Sequence, residues 1–220
     1  MQQNKPNLVV FDLDSTLTMK DTYLDFLSRF LLAHPSRLVR TIALPFDVAR
    51  FKLGQRNNSW LKQRFLSAIL AGVSRAELEA FSRRFVDGLW VRGMRQSALS
   101  RLAEHRESGD RIVLVTASFD FYVRYLAQKL GIEEVVATGA QWRDDRLTGK
   151  LAGQNCYGVE KLRRLDALLG DQRDSYKVIT YSDHHSDEPL LAWADEAVAV
   201  APSASLAATA HRKGWQIIPE

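Results

Sequence analysis

Two aspartates, Asp12 and Asp14, stand directly after the apolar run of residues 8–11, Leu-Val-Val-Phe, and this arrangement narrows the fold more than any other feature of the chain. A continuous apolar run of that length suits a strand buried on both faces. Alternation along the strand would send both carboxylates to one side. There they raise each other's pKa unless a cation neutralises them. Hard oxygen ligands of this kind suit Mg²⁺, completed by water and by a phosphate group of a substrate. An Asp-rich turn closing a strand is the plainer explanation of the same residues.

Three further segments belong with the first. Residues 112–115, Ile-Val-Leu-Val, form a second apolar run that ends in Thr116, Ala117 and Ser118 before a helical pattern starting near Phe119. A hydroxyl at such a junction can hold a phosphate oxygen beside the N–H groups of the helix start, or simply cap the helix, which suits Ser118 better. Lys161 opens a helical pattern that runs to Gly170, where a lysine taken alone reads as solvated surface. After the run at 177–180 come Asp183 and Asp187, so another strand ends in acids. Ligands gather at the carboxyl ends of strands in open parallel sheets, and acids after two strands can share one crevice. Strands are predicted at 8–11, 112–115, 135–137, 177–181 and 197–200, with a hairpin over 140–151 turning at Asp144 and Asp145. Helical patterns between most of them predict an α/β fold with a Rossmann-like parallel sheet core and helices on both faces.

With these four motifs in this order, the chain resembles the haloacid dehalogenase (HAD) superfamily, and within it the phosphoserine-phosphatase-like branch. The resemblance spans residues 8 to about 190. It implies a Mg²⁺-dependent phosphatase in which Asp12 is the nucleophile and Asp14 the general acid and base. It also implies that Thr116 binds the phosphoryl group, that Lys161 braces Asp12, and that Asp187 supports the last motif. Asp12, Asp183 and the backbone carbonyl of Asp14 would hold the metal. Asp14 also separates the chain from P-type ATPases, which resemble the first motif but lack an acid at that place. Two departures put serine specificity in question. Thr116-Ala117-Ser118-Phe119 stands where phosphoserine phosphatases carry a Ser-Gly-Gly-Phe-like motif, and Ser182-Asp183-His184-His185-Ser186-Asp187 replaces the usual Gly-Asp-Gly-x-Asn-Asp.

The interval from about residue 20 to 93 holds no comparable strand. Helical stretches are read at 21–33, in a run broken at Pro45, at 59–70 and at 74–89, where Ser74 and Glu77 form a capping box. This predicts an inserted all-helical cap domain at 19–92, with residues 1–18 and 93–220 forming the α/β core. The cap should choose the substrate. By the resemblance, Asp21 falls where an acid senses the substrate's amino group and Arg64 falls near a cap arginine. Read from the residues alone, Asp21 caps its helix and Arg64 is one of many surface bases.

Net charge is only +4 in 220 residues, yet between residues 26 and 76 Arg29, Arg37, Arg40, Arg50, Lys52, Arg56, Lys62, Arg64 and Arg75 face the single acid Asp47. Interleaved with Leu38, Val39, Ile42, Phe46 and Phe51, they make a surface suited to anionic substrates or an anionic membrane. Some relatives of this branch hydrolyse the phosphate of phosphatidylglycerophosphate, so a lipid-phosphate phosphatase is an alternative to an enzyme of small metabolites such as phosphoserine or an amino-alcohol phosphate. A non-catalytic phospho-receiver is a third reading, against which Asp14 argues by shortening the life of an acyl phosphate. No nucleic-acid reading motif is present. The lone Cys156 excludes an internal disulfide and fits a reducing cytoplasm.

Overall fold

In a computed structural model that describes residues 5–219, β1 (Asn7–Phe11) sends Leu8 and Val10 into one apolar cluster and Val9 and Phe11 into another. All four are fully buried, which explains the unbroken apolar run. The chain then makes one wide turn at Leu13–Leu17, closed by the Thr18 N–H on the Leu13 carbonyl at 3.0 Å. A helical interval follows: α1 (Thr22–Ala33), a 3₁₀ turn (Pro35–Thr41), α2 (Leu44–Lys52), α3 (Asn58–Leu70), α4 (Arg75–Arg92) and α5 (Gln96–Glu107). The remainder is β2 (Arg111–Phe119), α6 (Asp120–Leu130), β3 (Glu134–Arg143), β4 (Arg146–Ala152), α7 (Val159–Leu169), β5 (Lys177–Ser182), α8 (Glu188–Trp193), β6 (Glu196–Val200), α9 (Ala204–Lys213) and β7 (Gln216–Ile218).

The described residues form a seven-stranded sheet in the order β4-β3-β2-β1-β5-β6-β7, antiparallel only between β3 and β4. Both faces carry helices, as the apolar runs required. On one face Leu165 and Leu169 of α7 and Leu190 of α8 cover Leu8, Val10, Val113 and Val115. On the other, Val9, Phe11 and Leu114 join an aromatic cluster that extends into the helical interval. There Phe26 stacks on Tyr122 at 4.9 Å and meets Phe81 and Phe85 edge-on at 5.1 Å each. Rings in these geometries attract beyond their buried area, so α1 and α4 are fastened to α6 of the sheet layer.

Local readings needed three corrections. Pro45 does not break a helix; it lies in the first turn of α2, where a missing N–H costs nothing. Ser74 caps α4 by accepting from the Glu77 N–H at 3.3 Å, but the Glu77 carboxylate pairs with His34 Nε2 at 3.2 Å, so no reciprocal box is closed. β7, only three residues long, carried too little pattern to be foreseen.

Candidate active site

β1 lies between β2 and β5, so whatever follows β1 and β5 emerges side by side. Phe11 pairs with Tyr181, and the Asp12 N–H extends the ladder to the Tyr181 carbonyl at 2.9 Å. Asp12 is 4% exposed. Lys161 Nζ donates to Asp12 Oδ1 and to Asp187 Oδ2, both at 2.6 Å, and is itself buried. Burial would lower the Lys161 pKa, but the two carboxylates outweigh it and hold the ammonium well above its ordinary range. Gly158 prepares this contact: it takes φ +58 just ahead of α7, a left-handed conformation that glycine adopts without strain, and Lys161 follows in the first turn. Ser182 Oγ donates to Asp187 Oδ2 at 2.7 Å, fixing the second acid of that loop.

Thr16, fully buried, joins two acids that are far apart in sequence. Its hydroxyl lies 3.1 Å from Asp12 Oδ2 and 3.2 Å from Asp183 Oδ1. Ser15, just before it, sits at φ +60, a strained position for a residue other than glycine. The surroundings hold it: Arg95 Nη2 donates to the Ser15 carbonyl at 3.2 Å, and Thr18 Oγ1 accepts from the Ser15 N–H at 3.2 Å.

Asp14 points elsewhere. Its Oδ1 accepts from the Thr22 N–H at 2.7 Å and the Thr22 hydroxyl at 2.6 Å, while Oδ2 accepts from Ser118 Oγ at 2.6 Å and Thr116 Oγ1 at 3.3 Å. Tyr122 OH, 2.9 Å from Thr22 Oγ1, completes the group. Thr22 and Tyr122 gave no signal in the sequence, since one reads as a helix start and the other as core. Thr116 is fully buried and does not reach the cavity; its hydroxyl accepts from the Ser118 N–H at 2.9 Å. Ser118 does line the cavity, and it does not cap a helix, because β2 continues to Phe119 and α6 begins beyond it.

The cavity holds about 450 Å³ and gathers Asp12, Asp14, Ser118, Lys161, Asp183 and Asp187 on its polar side. Tyr23, Leu24, Phe51, Leu61 and Phe65, all from α1 to α3, form an apolar wall opposite in character. Asp21 lines the cavity and also caps α1, accepting from the Leu24 N–H at 2.9 Å; burial, aided by the Asp14 charge, raises its pKa. Arg64 is not in the wall. It pairs with Asp47 of α2 at 2.7 Å, and the cation that α3 does contribute is Lys62, 8% exposed, which in the sequence stood only as one base of the cationic stretch. Lys62 Nζ donates to the Ala117 carbonyl, and burial pushes its pKa down to about 8 against the pull of Asp14 and Asp21.

The donor set suits a hard divalent cation. Asp12 and Asp183 are brought together by one hydroxyl, and burial with the Asp187 charge pushes Asp183 up to about 6, a sign of acids short of positive charge. Among the described residues no three His, Cys, Asp or Glu side chains gather as a metal cluster. A cation here would therefore draw a third oxygen from backbone, water or substrate, as Mg²⁺ commonly does.

A family model described as haloacid dehalogenase-like hydrolase matches residues 9–192. Protein CicA of Caulobacter vibrioides is 33% identical over 199 residues, covering 88% of this chain and 85% of that protein. The histidinol-phosphatase of Neisseria meningitidis serogroup C is 29% identical over 220 residues, covering 96% of this chain and 98% of that one. A crystal structure of a protein of unknown function from Bordetella pertussis Tohama I matches with a TM-score of 0.84 at 27% identity, over 98% of this chain and 99% of its own. The fold also recurs in a phosphoserine phosphatase, with a TM-score of 0.62 at 20% identity, over 99% and 94% of the two chains.

Proposed function

This chain belongs to the haloacid dehalogenase-like hydrolase family, and we propose that, as a phosphoric monoester hydrolase, it works through a covalent phosphoryl intermediate on Asp12. The observation that carries this reading is the buried Lys161 ammonium held between Asp12 and Asp187, beside Asp183, at the carboxyl ends of neighbouring strands. A carboxylate can attack phosphorus and so divide hydrolysis into two easier displacements. The Asp12 and Asp183 side chains and the Asp14 carbonyl would hold Mg²⁺, which when bound would neutralise charge on the phosphate. Lys161 fixes the Asp12 carboxylate in place. Asp14, anchored by Thr22 and Ser118 with an edge on the cavity, gives a proton to the leaving oxygen and later takes one from water. Ser118 faces the phosphoryl group, and Thr116 serves by fixing Ser118 from behind. Family membership favours this hydrolase over a phospho-receiver.

Residues 19–92 act in this reading as the cap, because they supply the apolar wall of the cavity. The relative named histidinol-phosphatase supports a small amino-alcohol phosphate as substrate. The single thiol, Cys156, buried and free, supports a reducing cytoplasm. The test is phosphate release across amino-acid, sugar, nucleotide and lipid phosphates with Mg²⁺ present. Release is expected from at least one class and should fall about a hundredfold or more with EDTA. Release from none, or release that survives the chelator, would refute the reading.

A second reading concerns where the enzyme works, and one surface favours it. Leu32, Leu38, Val39, Ile42, Phe46 and Leu53 are exposed beside Arg40, Arg50, Lys52 and Arg56, whereas Phe26, Leu27, Phe30 and Leu44 of the same stretch are buried. Leu24 and Phe65 line both the cavity and an open apolar groove that continues over Leu27, Leu44 and Val48. No described helix is long and apolar enough to cross a membrane. In this second reading the basic and apolar face meets an anionic surface and a lipid phosphate is the substrate. Vesicles rich in anionic lipid should carry the protein upward in flotation at low salt and release it near about 1 M salt, where screening acts within about 3 Å. Protein that stays at the bottom at low salt excludes this reading.

A further inference from the structure

Behind Asp14 lies a phenol that the scheme above does not use. Tyr122 of α6 is fully buried, its ring stacked on Phe26 at 4.9 Å, and its hydroxyl meets Thr22 Oγ1 at 2.9 Å. Counting protons gives that contact a direction. A hydroxyl has one proton to give and two lone pairs to receive with, whereas an ionised carboxylate only accepts. Thr22 Oγ1 stands 2.6 Å from Asp14 Oδ1 and gives its proton there, which makes Tyr122 the donor to Thr22. Ser118 likewise gives its proton to Asp14 Oδ2 at 2.6 Å. The two oxygens of Asp14 are then unlike. Oδ1 takes both its bonds from Thr22, which stays outside the cavity, while Oδ2 takes its short bond from Ser118, which lines it.

For Asp14 to carry a proton, one of its oxygens must release a donor. On Oδ1 that is prevented, because the Thr22 N–H is fixed at the start of α1 and the Thr22 hydroxyl, met by the Tyr122 proton, keeps its own directed at Asp14. On Oδ2 it is open. The Ser118 hydroxyl can turn to Thr22 Oγ1, 3.3 Å away, which has a second lone pair to receive it, and the longer Thr116 contact at 3.3 Å can stay on the other lone pair of Oδ2. We propose that Tyr122 is a positioning residue for the acid step: through Thr22 it locks Oδ1 as an acceptor, so that Oδ2 is the oxygen that gives a proton to the leaving group. As the bond from Asp12 to phosphorus forms, the bond from phosphorus to the leaving oxygen breaks, and that oxygen keeps the electron pair and takes the proton from Oδ2. Ser118 then turns back to the carboxylate. This rests on the phosphatase reading above, and it names how the acid of that same site is held.

The test compares leaving groups. The phenolate of p-nitrophenyl phosphate leaves without a proton, whereas the alkyl phosphates of the screen above, among them glycerol 3-phosphate and O-phosphoserine, release alkoxides that need one. The constant to read is kcat/KM, because it ends at departure of the leaving group and excludes the later attack of water. Tyr122→Phe keeps the stacked ring, and its loss should be about tenfold larger on the alkyl phosphates than on p-nitrophenyl phosphate. Thr22→Val should show the same bias at about a hundredfold, while Thr22→Ser, which keeps the hydroxyl, should hold the wild-type ratio. Combining Tyr122→Phe with Thr22→Val should lose no more than Thr22→Val alone, since the phenol acts through that hydroxyl. Equal loss on both kinds of ester overturns the proposal, being what a packing defect behind α1 would give, and so do losses that multiply in the double variant. A wild type that hydrolyses p-nitrophenyl phosphate but no alkyl phosphate also overturns it, leaving no acid step for Tyr122 to serve, while the phosphatase reading stands. Release from no phosphomonoester removes both.

Discussion

Asp12→Asn should lose about 10⁴-fold or more in phosphate release while remaining folded. Asn preserves the shape of the side chain, and its one carbonyl oxygen can keep the Lys161 contact at 2.6 Å, while its NH2 then faces Thr16, whose hydroxyl can still donate to Asp183 Oδ1. What disappears is the anionic oxygen that forms the bond to phosphorus, and removing a nucleophile costs far more than weakening a binding contact. Stability should not fall with it. Asp12, Asp14, Asp183 and Asp187 crowd one site, and taking the negative charge from the buried Asp12 relieves repulsion with the other three. The measurement pairs a phosphate-release assay in Mg²⁺ with a urea melt. Wild-type turnover would mean that another group attacks phosphorus. Loss of both activity and fold would mean that the assay reports unfolding.

Lys161→Met should show the opposite balance, with stability and activity failing together. The ammonium lies between two buried carboxylates at 2.6 Å each, and its removal leaves both without a cation. Breaking a buried pair by deleting one partner costs about 3–5 kcal/mol, or roughly 10 °C in Tm for a chain of this size. The loss should depend on pH in a stated direction. Burial already holds the Asp12 carboxyl well above its ordinary range while Lys161 pulls it down, so without Lys161 it rises further above its unfolded value. A raised carboxylate stabilises the fold below its unfolded pKa, and that contribution is lost as pH rises through the folded value. The gap between variant and wild type should therefore be wide at pH 7 and narrow on acidification, read from melts without added metal. A gap that stays constant would show that packing of the lysine stem, not charge, is what the site needs.

Much of the site was legible in the sequence for a short-range reason. Asp12 and Asp183 follow apolar runs that had to be buried strands, and strands buried on both faces place their carboxyl ends in one crevice. The pairing of Asp12 with Lys161 across 149 residues was reachable only through the ordered motifs, because neither residue carries a local mark of the other. The exchange of Arg64 for Lys62 has a plain geometric origin. Two residues on a helix stand about 200° apart, so an alignment that slips by two positions presents the wrong face. On α3 that places Lys62 in the cavity wall and sends Arg64 to Asp47. Thr116 and Ser118 show the same limit on a strand end: both are hydroxyls near Asp14, yet only Ser118 reaches the cavity.

What the amino-acid order determined by itself is set by repeat and by neighbour: the strands, the layers of helices, the acids at strand ends, and the cap residues at Asp21 and Ser74 that start α1 and α4. These follow from interactions within a few residues, where apolar period and hydrogen-bonding side chains decide. Only the tertiary structure decided which side chain of α3 enters the cavity, that Thr16 joins Asp12 to Asp183, and that Thr22 and Ser118 turn Asp14 away from them. Such choices depend on the rotation of one element against another and on rotamers set by packing, and a shift of one residue reverses them without changing the pattern from which the elements were read.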